Sequence, residues 1–311
     1  MQRCKFINLI LMKKNFIIFC FISLCTCVSA QTSGWFSFWG EAGYSRLNNN
    51  IVNVDTLPKV YSIQGFGLGL GIGYEFHYKK FIATFGLEGN YWNMNTVVDN
   101  FQLQTRMIDT EGWEYTGIFD LKNNTDRYQM AYMNIPLMFG FHLPKKWYFL
   151  VGAKYGLNIW GQSTTGDKKT TVTSSGRYDQ FIDDFKNMEN HEFWKYNRIY
   201  TTDISFENNL AASLEIGKYL YISNTFATRL AVFADYGFLN IHKDRVEGSI
   251  YINDPMNFGF ENPPGVFNPR YNALLLSGRA YKQTFTPFFI GLKLTLLFKL
   301  HESSDCMCEW Y

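Results

Sequence analysis

From Gly65 to Tyr78 the chain alternates without a break. Phe66, Leu68, Leu70, Ile72, Tyr74, Phe76 and Tyr78 take every second position, and Gly65, Gly67, Gly69, Gly71, Gly73, Glu75 and His77 take the positions between. A strand sorts these two sets onto opposite faces, whereas a helix scatters them round its circumference. The same period recurs in eight segments: Trp35–Leu47, Gly65–Tyr78, Phe81–Asn93, Tyr128–Leu143, Trp147–Gly161, Asn208–Leu220, Thr225–Ile241 and Thr284–Lys299. An even number of antiparallel strands closes into an up-and-down barrel with no free edge.

The connections alternate as well. Lys79-Lys80, Pro144-Lys145-Lys146 and a link near Tyr221–Asn224 are short, while Asn48–Gln64, Met94–Arg127, Gln162–Glu207 and His242–Gln283 are long. All short turns then lie at one end and all long loops at the other. Outer-membrane barrels have this asymmetry, with short periplasmic turns and long extracellular loops. The expected fold is therefore all-β: an eight-stranded antiparallel up-and-down transmembrane β-barrel.

A soluble barrel of the lipocalin kind alternates too, but with its polar face outside. Aromatic residues make up 18% of this chain, yet its mean hydropathy is only −0.16. The polar face is mostly Gly, Ala, Ser and Asn, too poor in charge for a soluble exterior, and its glycines suit a crowded bore. The other face is bulky and nearly uncharged, as in Phe288, Ile290, Leu292, Leu294, Leu296 and Phe298. Tyr44, Tyr78, Tyr91, Tyr132, Trp147 and Tyr236 lie near strand ends, where amphipathic rings form interfacial belts.

The N-terminus has the form of a signal peptide over residues 1–30. Lys13 and Lys14 precede the apolar run Phe16–Val28, and Val28-Ser29-Ala30 offers a small-residue cleavage site before Gln31. The run is shorter than the roughly 20 residues of a spanning helix. Residues 31–300 are expected to form the barrel and 301–311 a periplasmic tail. Of six cysteines, Cys4, Cys20, Cys25 and Cys27 leave with the leader, so only Cys306 and Cys308 remain. A disulfide-stapled fold is excluded.

Tyr132-Met133-Asn134-Ile135-Pro136-Leu137, followed by Trp147-Tyr148-Phe149-Leu150-Val151-Gly152-Ala153-Lys154-Tyr155-Gly156, resembles the outer-membrane β-barrel domain proteins of Bacteroidetes, the group that includes the PorT-like proteins. Asn134 stands where that family often has an acid. The resemblance implies the barrel fold, and through its PorT branch a link to protein secretion.

The inward face carries Glu41, Glu75, Glu88, Glu215 and Asp235 against Lys154, Arg229 and Lys293, with His77 and His142 nearby. Buried charges must pair or meet water, so these residues read as a charge network filling a narrow bore. A gated pore is the alternative. The long loops hold aromatic residues suited to a protein or glycan partner: Trp113, Tyr115, Trp194, Tyr196, Tyr251 and Tyr271. Within the third loop, Phe181, Phe185 and Met188 recur at helical spacing, which predicts a short amphipathic helix over Tyr178–Met188.

No nucleophile motif is present, and the five histidines lack the close spacing of a metal site. A net charge of +2 with scattered Lys and Arg gives no nucleic-acid footprint. The sequence thus describes a bacterial outer-membrane protein in contact with lipid, expected to be non-enzymatic and without a cofactor. It acts through its extracellular loops as a surface-binding, assembly or structural component. A narrow channel or a secretion-associated barrel is the alternative, an outer-membrane enzyme the third reading, and the oligomeric state is left open.

Overall fold

The computed structural model describes residues 32–52, 60–108, 112–166, 170–180, 185–186, 195–196, 199–242 and 282–301. The expected signal peptide, Cys306 and Cys308, and the part of the fourth long connection with Tyr251 and Tyr271 lie outside them, as does Trp194. In chain order the strands are β1 (Thr32–Val52), β2 (Val60–Tyr78), β3 (Phe81–Val98), β4 (Phe101–Ile108), β5 (Glu114–Lys122), β6 (Asn124–His142), β7 (Trp147–Thr165), β8 (Thr171–Tyr178), β9 (Phe185–Lys186), β10 (Lys195–Tyr196), β11 (Tyr200–Asp203), β12 (Asn209–Tyr221), β13 (Phe226–Gly237) and β14 (Lys282–His301).

Eight of these strands close a ring in which each is antiparallel to its neighbours: β1, β2, β3, β6, β7, β12, β13, β14 and back to β1. They are the eight segments that the alternation marks. The walls run further on the long-loop side than the alternation suggests. β1 continues to Val52, β2 begins at Val60, and β3 reaches Val98 opposite Asn124 of β6.

The apolar faces point outward. Leu70 is 64% exposed and Leu292 60%, while Gly69, Gly71 and Lys293 on the alternate positions are buried. The bare exterior also includes Phe85, Leu87, Ile135, Leu137, Val151, Ile216 and Leu294. In water such a continuous apolar surface would be prohibitive, and in a bilayer it is the required one. Among the described residues no helix is long and apolar enough to cross a membrane. A closed barrel has no open edge, and its backbone polar groups bond within the ring, so it can span a bilayer. The chain is an outer-membrane β-barrel.

Outside the ring stands a second sheet in the order β10-β8-β5-β4, with β9 paired to β8. It is built from what reads in the sequence as loop. Tyr115, Ile118, Phe119 and Leu121 are buried in it, so this extension has apolar packing of its own. Asn123, held at a φ of 53°, joins β5 to β6.

Three expectations are corrected. The described parts of Tyr178–Met188 are not helical: Tyr178 ends β8 and Phe185–Lys186 pairs back on Ser175 and Gly176. The β5 edge needs a partner, and the β-branched and small residues Thr171–Ser175 supply it as a strand. Residues 181–184, 187 and 188 lie outside the described residues. Tyr132 is fully buried in the bore rather than at the lipid interface, because it shares the inward parity of Met130 and Asn134. Tyr115, read as a binding aromatic, is buried and packs on Tyr178 with ring centroids 5.2 Å apart.

Candidate functional site: the filled bore and the extracellular sheet

The bore is packed in three layers. At the long-loop end Leu47, Val60, Trp92, Met94, Tyr128, Met130, Tyr132, Phe233, Phe285 and Phe289 form an apolar plug. Phe206 joins them from the stretch between β11 and β12. Backbone bonds hold that stretch across the opening: Ile204 N–H donates to Gly161 O at 3.0 Å and Glu207 N–H to Ile241 O at 2.9 Å. The Tyr132 hydroxyl donates to Glu207 O at 2.8 Å. At the short-turn end Trp35, Ile82, Met138, Tyr148, Leu150, Tyr219 and Leu297 form a second plug.

Between the plugs runs one connected chain of charge. Lys154 on β7 lies 3.0 Å from Glu88, 2.9 Å from Asp235 and 3.4 Å from Glu41. Lys293 bridges Glu41 and Glu215, each at 3.0 Å. Arg229 bonds Glu215 at 3.3 Å and also pairs with Glu75. Glu75 meets His77 at 2.7 Å, and the rings of His77 and His142 lie 4.8 Å apart. All eight residues read from the sequence as bore charges thus join one network, drawn from seven of the eight wall strands.

Five carboxylates share three cations, so neutral donors complete their shells. Trp39 Nε1 donates to Glu88 at 2.9 Å, and Asn90 does so at 2.8 Å. Tyr148 donates to Glu215 at 2.6 Å, Tyr219 to Glu75 at 2.5 Å and Ser213 to Asp235 at 2.5 Å. The Arg229 guanidinium also lies 4.6 Å from the Tyr148 ring centre, and Lys293 Nζ 4.8 Å from that of Trp39. These neutral partners escaped the sequence reading. Their one signal was parity, since Trp39 shares the inward face of β1 with Glu41.

Glu41, Glu88 and Asp235 bring carboxylate oxygens within 4.8 Å of one another, as a metal site would. Here the ammonium of Lys154 sits among them and does a cation's work. Beside it lies a cavity of about 10 Å³, lined by Trp92, Asn134, Lys154, Asn209, Asp235 and Phe289. That is room for about one water.

The extracellular sheet is the other candidate. Trp113 is exposed just before β5, and Tyr196 lies in β10. Gln102, Gln104 and Arg106 are exposed on β4. Arg106 grips Asp179 with two bonds, at 2.8 and 2.5 Å, and lies 3.9 Å from Glu114. The paired guanidinium holds the Asp179 carboxyl below its ordinary value. Among the described residues β4 pairs with β5 alone.

No known protein family matches the chain, and no curated protein does. Among solved structures it is similar to Ail, the attachment invasion locus protein of Yersinia pestis. The identity is 10% over 84% of this chain and 98% of that one, with a TM-score of 0.25. Ail in complex with the heparin analogue sucrose octasulfate gives 8% identity, the same coverage and a TM-score of 0.22. A mutant of the TodX monoaromatic hydrocarbon channel gives 6% identity over 88% of this chain and 91% of that one, with a TM-score of 0.20. Likeness this distant carries no function to the present chain.

Proposed function

We propose that this protein is a non-conducting, non-enzymatic anchor that presents its extracellular sheet to a protein or glycan at the cell surface. The observation that carries the reading is the contrast between its two halves. The bore is filled from one end to the other by side chains, which supports a barrel that does not conduct. The sheet above it is a built element with a buried face and an outer strand, β4, on which Gln102, Gln104 and Arg106 are exposed. A chain that needed only to span the membrane would close β3 onto β6 with a short turn.

The test has two arms. Purified protein in a planar bilayer is expected to stay electrically silent. A photo-crosslinker placed at Gln104 on intact cells is expected to capture a surface partner, and one placed at Leu292 on the lipid face is not. Stable conductance steps would replace this reading with the channel.

A further inference from the structure

The short-turn end of the barrel carries charge of one sign. Lys79 and Lys80 form the β2–β3 turn, Lys145 and Lys146 most of the β6–β7 turn, and all four are exposed. Lys218 adds a fifth on the outer face of β12, opposite Trp147. The third turn, Ile222-Ser223-Asn224-Thr225, is uncharged. Among the described residues no exposed Asp or Glu lies at this end, since Glu75 and Glu215 are enclosed in the bore.

These lysines stand directly on a set of outward aromatics, Tyr78, Phe81, Phe141 and Trp147, with Tyr221 exposed at the end of β12. Lys79 Nζ lies 5.6 Å from the Tyr78 ring centre, and Lys146 Nζ lies 5.5 Å from that of Tyr221. Rings of this kind settle at the headgroup level of a bilayer. The ammonium groups beside them are therefore at the depth of lipid phosphates, with their stems along the apolar surface. Backbone conformation adds a second observation. Lys79, Lys145 and Lys146 adopt φ values of 51°, 62° and 66°. Glycine or asparagine suits such left-handed positions better. Lysine stands there against local preference, which points to a use for the charge.

We infer that this rim is a binding surface for the anionic phosphate headgroups of the periplasmic leaflet. It clamps the barrel at a fixed depth and tilt. The inference rests on the membrane reading and on the short turns being periplasmic, and it is independent of any surface partner.

The experiment uses the full chain, whose residues 302–311 include Glu302, Asp305 and Glu309. Folded protein is reconstituted in vesicles of equimolar phosphatidylcholine and phosphatidylglycerol, released into mild detergent, and its retained lipids are counted by native mass spectrometry. The unaltered protein should retain phosphatidylglycerol in preference. Joint substitution Lys79→Gln, Lys80→Gln, Lys145→Gln and Lys146→Gln should reduce that preference roughly tenfold or more, while the matching Arg variant keeps it. Added glycerol phosphate should not compete, because free anion lacks the leaflet's positioning. Heat-dependent gel migration checks that every variant is folded. Equal retention of both lipids by the unaltered protein overturns the proposal. So does a folded Gln variant with its preference intact, or displacement by glycerol phosphate.

Discussion

Lys154 is the residue whose loss should cost the barrel most. Its ammonium is the cation that Glu41, Glu88 and Asp235 share, and all of them are buried. Removing one partner of a buried pair leaves charge uncompensated, at about 3–5 kcal/mol. Lys154→Met should therefore lower resistance to urea by about that amount, read as loss of the heat-modifiable band. Adding Glu88→Gln should restore part of it. If Lys154→Met alone matches the unaltered protein, the network is ornamental. Parity along β2 makes a second prediction. Leu70 faces lipid, where an arginine costs about 2–4 kcal/mol at the midplane, so Leu70→Arg should block insertion. Gly71 faces inward, and any Cβ there would collide with the buried Trp39 indole. At Gly69 a Cβ would meet the Asn90 amide at 2.5 Å, a side-chain end that can turn. The expected order of damage in the same gel assay is Leu70→Arg and Gly71→Ala together, then Gly69→Ser. A harmless Gly71→Ala would mean that Trp39 does not fill the bore.

The extracellular sheet shows where reading by element succeeds and where it stops. The barrel strands were legible because lipid outside and a crowded bore inside impose opposite demands on successive residues. The charge network was legible for the same reason, since a charge on the inward parity had to be buried. The sheet of β4, β5 and β8 obeys no such rule. Its strands answer to each other, across sequence separations that composition does not reveal, and Phe185 at helical spacing from Phe181 and Met188 gave the wrong period. In the structure Phe185 packs on Tyr178 with centroids 5.7 Å apart. Phe185→Asp should thus expose the third loop to protease on intact cells while the barrel stays folded. The Arg106–Asp179 pair gives this element a pH dependence. Asp179 titrates below its ordinary value of 3.8, held down by hydrogen bonds from Arg106. Its contribution is therefore complete above that ordinary value and is lost as pH falls through the depressed one. Amide exchange in β4 and β8 should quicken across this acid range, and Asp179→Asn should flatten the change. A β4 exchange profile that is unaffected by the substitution would assign the stability elsewhere.

At the scale of the whole molecule, the barrel and the sheet should separate cleanly. β3 and β6 already pair up to Val98 opposite Asn124, so the wall is complete before the extension begins. Removing residues 101–122 leaves Asp99, Asn100 and Asn123 to close the hairpin. Asn123 already holds a left-handed φ of 53°, a conformation that short hairpin loops with a bulge require. On the other side, Thr165 of β7 pairs with both Asp126 and Tyr200, so residues 167–198 can also be excised beside an intact wall. The double deletion removes the core of Tyr115, Ile118, Phe119 and Leu121 as a unit, which leaves no half-buried apolar face behind. It also leaves in place the Phe206 plug and the charge chain, whose partners come from wall strands or from the retained stretches before β12 and just after β13. The shortened protein should insert, keep its heat-modifiable migration and remain silent in a planar bilayer, while losing capture of a surface partner. If it fails to fold in the same lipid, the sheet is part of the barrel's own folding unit. If it folds and still captures the partner, the binding surface belongs to the remaining rim.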